Sequence, residues 1–191
     1  FLIRDEVTKR YLPDPRMLFP CPIYHPWELV RRDASSLVML WRDRLQLTTG
    51  LVIFYFGSRV LLELAPGRDP LSPSYRTVLS SPLHASGSGK VFLMAQSEAQ
   101  RREILGLGPF EKFTSQTIID HETLTADLAR GAQRGFVSAV EDYMSGFRVV
   151  AAPLSVDDRV IGCIFCSGGA ALFPDQKIEE IGEEVKQVAT L

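Results

Sequence analysis

Little in the 191-residue chain supports a covalent framework or a metal site: it holds three cysteines (Cys21, Cys163, Cys166) and three histidines. An odd number of thiols does not build a disulfide scaffold and fits reduced cysteines in a cytoplasm. Long hydrophobic runs are also missing. The longest, residues 51–56, is far too short to cross a bilayer. The opening Phe1-Leu2-Ile3-Arg4-Asp5-Glu6 is charged where a signal peptide needs its apolar stretch. Neither sign of charge dominates, since 21 Lys and Arg stand against 23 Asp and Glu for a net −2. A self-sufficient DNA-binding domain carries a basic surplus, and this chain has none. Repeats and low-complexity tracts are absent. What is there is ordinary for a globular core, with 46% hydrophobic and 23% charged residues. At this length folding buries about 70% of the surface exposed by the unfolded chain. The reading is one domain with appendages.

Residues 12–26 hold Pro13, Pro15, Pro20, Pro22 and Pro26, which forbid a helix and predict a stiff, extended connector. Residues 1–11 before it read as a torn hairpin, with Phe1-Leu2-Ile3 turning at Arg4-Asp5-Glu6 into Val7-Thr8-Lys9-Arg10-Tyr11. A helix follows, with Leu29, Val30, Leu37, Val38, Leu40 and Trp41 as its apolar face. Residues 48–56 and 59–65 are strand-like and flank a turn signal at Gly57-Ser58. After a proline-rich loop, helical patterning runs from Lys90 through Met94 and over residues 98–107. Residues 113–119 are expected as a short strand, and 124–133 as a helix closed by Gly135. A second hairpin pairs residues 147–154 with 160–167 around Asp157-Asp158. Ile178, Ile181, Val185 and Val188 then mark an amphipathic terminal helix. Hairpins with separate helices, and no regular βαβ alternation, indicate α+β with an antiparallel sheet.

The run His84-Ala85-Ser86-Gly87-Ser88-Gly89-Lys90 is not a nucleotide P-loop. His84 stands where the first glycine belongs, and Val91 where a magnesium-binding hydroxyl belongs. Two readings stay open: a plain tight turn packed on a sheet, or a small-residue turn whose free N–H groups meet an anion at a helix start. Cys163 and Cys166 have redox or zinc spacing, but on a strand they point to opposite faces, and no second ligand pair completes a tetrahedron. One thiol is expected toward a core or cavity and the other away from it. Ser86 and Ser88 beside His84 lack the G-x-S-x-G elbow of a hydrolase. His25 and His121 have no catalytic neighbours and read as structural, and Glu141-Asp142 reads as a solvated loop. No enzymatic constellation, cofactor motif or metal site emerges.

Taken together, the segments resemble the effector-binding half of IclR-type bacterial transcription regulators over residues 37–191. The most specific run is Pro82-Leu83-His84-Ala85 through Gly89-Lys90. Phe113-Thr114, Thr117-Ile118, Arg134-Gly135-Phe136, Glu141, Gly146, Ala151-Ala152-Pro153 and Ser167-Gly168 follow in the family's order. The resemblance implies a GAF-like antiparallel sheet flanked by helices, with a small-molecule cavity on one face. It also implies three parts: residues 1–11 as a remnant of a DNA-binding wing, 12–47 as connector and linker helix, and 48–191 as effector-binding domain. Operator binding is then expected only through a preceding winged helix-turn-helix, in a cytoplasmic homo-oligomer, dimer or tetramer, without membrane contact.

Carried over position by position, the effector contacts implied by the resemblance are Gly87, Ser88, Ala139, Phe147, Val149, Phe165 and Ser167. Members that take small keto acids have aspartate, cysteine and serine where this chain has Ala139, Val149 and Phe165. A hydrogen bond to a charged ligand is worth roughly 1.5–3 kcal/mol. Losing two weakens a small polar acid about a hundredfold or more. A bulkier effector is expected, an aromatic or aliphatic carboxylic acid. Its acid group would lie at Gly87, Ser88 and Ser167, and its body against Phe147, Val149 and Phe165. The competing expectation is an assembly module whose pocket is filled by Phe165.

Overall fold

The computed structural model describes residues 2–5, 9–14, 17, 27–69, 73 and 75–189, the side chains at 75, 76 and 79 excepted. Cys21, His25 and most of the proline connector lie outside the described residues. A small hairpin pairs β1 (Leu2–Arg4) with β2 (Tyr11–Pro13). The second strand begins where the sequence reading ended it, and it can include Pro13 because an edge position needs no ladder N–H. Helix α1 (Trp27–Leu45) leads into the main sheet. The sheet comprises β3 (Thr48–Tyr55), β4 (Ser58–Ala65), β5 (Val137–Val140), β6 (Phe147–Val156) and β7 (Arg159–Gly169), in the order β4-β3-β7-β6-β5. Every neighbouring pair is antiparallel. The fold is α+β, as read from the sequence.

Both hairpins turn on two residues of positive φ, the geometry that matches strand twist. Asp157 and Asp158 sit at 48° and 60°. In the first hairpin the turn is Phe56-Gly57, at 48° and 73°, one residue earlier than Gly57-Ser58, so Ser58 already pairs with Tyr55. The predicted strand over 113–119 is absent and is instead a side-chain-tied loop. Thr117 Oγ1 accepts from Phe113 N (3.0 Å) and Thr114 N (2.8 Å) and donates to Asp142 O (2.6 Å). Such threonine bonds satisfy the backbone locally and compete with a ladder. β5 and the short helix α2 (Tyr75–Ser80) were not anticipated.

Two layers cover the sheet. On one face α1 and α6 (Ile178–Ala189) bury Trp41, Phe136, Ile164, Cys166, Ile181 and Val185. The expected apolar face of α1 is only partly used. Val38 and Trp41 are buried, while Leu29, Val30 and Leu40 are exposed. On the other face lie α2, α3 (Gly87–Met94), α4 (Glu98–Leu105) and α5 (His121–Arg134). Here Val91, Val137, Ala151, Cys163 and Phe165 form one cluster. Phe92, Leu93, Leu124 and Leu128 form another. Cys163 and Cys166 do point to opposite faces, yet both faces are covered and both thiols are buried. Helix α3 starts at Gly87, three residues before the periodicity announced it. A Cβ on Gly89 would lie 2.4 Å from the Leu83 carbonyl oxygen, so glycine is what allows the preceding turn to fold back on the helix.

Candidate functional site

The site is built on three registered strands. Ala139 on β5 faces Val149 on β6, which faces Ser167 on β7. One step along, Ala151 faces Phe165, which faces Gly50 on β3. With side chains alternating along each strand, these residues present one face of the sheet, and α3 lies across it. A cleft opens between sheet, α3 and α2, about 490 Å³ with the open solvent at its mouth and about 50 Å³ for the centre of a water-sized sphere within it. All seven residues named from the sequence, Gly87, Ser88, Ala139, Phe147, Val149, Phe165 and Ser167, line it. Apolar groups make most of its wall, with Val78 and Ala85 joining the sheet residues.

Polar groups gather at the start of α3. Ser86 is its N-cap residue, yet its side chain makes no cap hydrogen bond, so the first-turn N–H groups keep no side-chain partner there. Ser86 Oγ donates instead to Pro82 O at 2.7 Å. Gly87 lies over Val149, and Ser167 is the register partner of Val149. Ser167 is fully buried, and its hydroxyl has no hydrogen-bond partner among the described residues. An unmade bond of this kind costs about 1–3 kcal/mol. Phe165 covers a notch in β3: a Cβ on Gly50 would sit 2.4 Å from the ring tip. The ring is accommodated because residue 50 has no side chain.

Behind the serines stands Arg59 of β4. Its Nη1 reaches Ser81 Oγ (3.2 Å), Ser86 Oγ (3.1 Å) and Ser88 Oγ (3.0 Å), and its Nη2 donates to the Ser81 carbonyl. Burial lowers its pKa from the ordinary arginine value. The sequence reading missed Arg59, along with Ser81, Asp142 and Tyr143. The signal for Arg59 was present: it alternates with Leu61 on the cleft side of β4, a charge where a buried strand face should be apolar.

Asp142 also lines the cleft and is not solvated as expected. Its carboxylate meets Lys90 Nζ at 2.6 Å, and Lys90 holds Asp127 at 2.8 Å and the Ser138 carbonyl at 2.9 Å. Burial pushes the Asp142 pKa up, and Lys90 opposes that rise. The two described histidines, His84 and His121, are held in the framework. His84 Nε2 bonds Glu111 O at 2.9 Å between Phe110 and Phe113, and His121 Nε2 bonds Gly106 O at 2.7 Å. Burial pushes both thiols up to about 12, so neither is a thiolate at neutral pH. Among the described residues no cluster of three or more metal-ligating side chains occurs, and no helix is long and apolar enough to cross a membrane.

Comparison with known proteins agrees with this architecture. The transcriptional repressor IclR of Escherichia coli (strain K12) is 32% identical over 109 residues, covering 56% of this chain and 40% of that protein. The match thus spans about two fifths of the length of the curated relatives. An IclR homolog from Microbacterium hydrocarbonoxydans, solved in complex with 4-hydroxybenzoate, superimposes with a TM-score of 0.75 at 21% identity, covering 99% of this chain and 76% of that one. The inducer-binding domain of PobR from Acinetobacter, a double mutant bound to 3-hydroxybenzoic acid, gives 0.72 at 21% identity, with coverages of 84% and 95%. The family described as "Bacterial transcriptional regulator IclR C-terminal" matches residues 74–190, which include α3, the cleft floor and α6. The chain therefore belongs to the IclR family of bacterial transcriptional regulators, of which it carries the C-terminal, effector-binding domain.

Proposed function

We propose that this domain senses an aromatic or apolar carboxylic acid and passes that binding to the DNA-binding state of its parent regulator. The observation that carries the reading is one cleft with two characters. Phe147, Val149, Val78 and Phe165 supply an apolar body, and the uncapped start of α3 and the partnerless Ser167 hydroxyl supply hydrogen-bonding capacity at its edge. Small keto acids lose support here because Ala139, Val149 and Phe165 offer no polar partner. Two proteins of like fold hold hydroxybenzoates.

Operator contact is assigned to a winged helix-turn-helix elsewhere in the parent, since a net −2 leaves this chain without a phosphate-binding surplus. The domain works as a homo-oligomer, and coupling needs only that effector favours one quaternary arrangement over another. The competing reading, an assembly module with a cleft filled by Phe165, draws on the small room left in the cleft, about 50 Å³ for the centre of a water-sized sphere; the packing of the ring tip over Gly50 speaks against it.

Thermal unfolding with benzoate, 4-hydroxybenzoate, phenylacetate, octanoate and pyruvate tests the proposal. A bound acid at about 100 times its dissociation constant adds about 2.7 kcal/mol, which raises the melting temperature by about 5–11 °C for a chain of this size. Stabilisation by the larger acids in preference to pyruvate is expected. Flat curves throughout would give the assembly reading the field.

A further inference from the structure

Arg59 is placed to decide how the cleft treats an anion without standing on its wall. A guanidinium can only donate, so each serine that meets Nη1 must accept with its oxygen and turn its own proton elsewhere. Ser81 Oγ donates that proton to Val78 O at 2.9 Å, and Ser86 Oγ donates to Pro82 O at 2.7 Å. Ser88 Oγ accepts from Arg59 at 3.0 Å and, among the described residues, has no acceptor for its own proton. Ser88 lines the cleft in the uncapped first turn of α3. Ser167, nothing of it exposed and its hydroxyl without a partner, lines the same cleft.

We propose that Arg59 is a positioning residue that makes the Ser88 hydroxyl a fixed, charge-polarised donor to the carboxylate of the effector, with Ser167 as a second hydroxyl donor. The proposal rests on the sensing reading above and sharpens it. With its oxygen accepting from a cation, the Ser88 hydroxyl must turn its proton away from Arg59. The site thereby favours an acid over the amide or alcohol of the same shape. A carboxylate has no proton to offer and needs donors, and Ser88 delivers part of the arginine charge through one short step. The charge itself stays behind the serines, so an apolar ring can fill the cleft without facing a guanidinium.

Calorimetry on the 191-residue chain with benzoate and its neutral analogue benzamide provides the test. Ser88→Ala should weaken benzoate tenfold or more and change benzamide by less than twofold. Arg59→Met should do the same, with Arg59→Lys retaining more benzoate affinity than the methionine variant. The double variant should bind benzoate no worse than Arg59→Met alone, since both changes interrupt one path. Loss of binding in Arg59→Met with none in Ser88→Ala would mean the arginine meets the anion directly, and the proposal fails. It fails also if both ligands weaken equally. Ser88→Ala carries the test alone should Arg59→Met not fold. If the wild type binds neither probe, the aromatic reading falls. The donor path then stands only if pyruvate binds and is weakened by both single variants; absence of any binding ends both.

Discussion

Lys90 is 2% exposed, and its ammonium is enclosed by Asp142, Asp127 and the Ser138 carbonyl at 2.6, 2.8 and 2.9 Å. The sequence marked Lys90 as the end of a motif. It did not mark the partners, which come from α5 and from the β5–β6 turn and meet the lysine only through the tertiary fold. Breaking a buried pair from one side leaves the other charge uncompensated, at about 3–5 kcal/mol. Lys90→Met should therefore lower stability by about that much at pH 7, measured by urea unfolding. The pH dependence follows from Asp142, whose folded pKa burial has already raised above 3.8. Removing the lysine raises it further. A carboxyl that is a weaker acid when folded binds its proton preferentially in the folded state. The deficit of the variant should thus shrink as pH falls from 7 toward 5. An equal deficit at both pH values would mean Asp142 is not the stranded charge. Phe165 offers a second single-residue test, because its ring was legible as a departure but its notch at Gly50 was not. Phe165→Ser should weaken benzoate and strengthen pyruvate, moving the two affinities in opposite directions in a titration. An unchanged preference would take position 165 out of the ligand contact.

Among the elements, those announced by strong periodicity formed where expected: the two hairpins, α5 and α6. Period two also placed Phe165 and Cys163 on one face of β7 and Cys166 on the other. The errors have specific causes. Residues 113–119 have β-branched composition, but their threonines bond the nearby backbone, and Thr114 Oγ1 reaches Glu141 O at 2.6 Å. The loop is thereby pinned to the segment that carries Asp142 into the cleft wall. Thr117 is the centre of this arrangement, buried with its hydroxyl bonded to Phe113 N, Thr114 N and Asp142 O and 3.3 Å from Thr114 Oγ1. Thr117→Val keeps the shape and removes every one of them. Each buried group left unmade costs about 1–3 kcal/mol. The variant should unfold at lower urea and lose amide protection at Phe113 and Thr114 before the sheet does. Unaltered protection at those two amides would show that the loop is held by packing alone. Arg59 was missed for a different reason: its role depends on serines from the α2–α3 connection and the first turn of α3, which no local pattern ties to β4.

At the scale of the whole molecule, one sheet serves two purposes. Its α3 face carries the cleft, and its other face carries the packing of α1 and α6, through alternate residues of the same strands. A ligand that stiffens β6 and β7 acts on both. Helix α1 offers the surface from which this would reach a second copy of the chain. Val38 and Trp41 turn inward, whereas Leu29 and Leu40 are 63% and 61% exposed, and Val30 and Met39 are also exposed. Leu29 and Leu40 lie three helical turns apart and so share a stripe. Apolar residues gathered along one helix at the margin of a domain mark an association surface. Light scattering at micromolar concentration should return about twice the 21.3 kDa chain mass. Leu29→Glu with Leu40→Glu should return the mass of a single chain. Neither side chain belongs to a core cluster, so effector-free melting in dilute solution should stay unchanged. A wild-type mass of one chain across that range would remove α1 as the route by which the cleft speaks to a second copy. Retention of the larger mass by the double variant would move that route to another face.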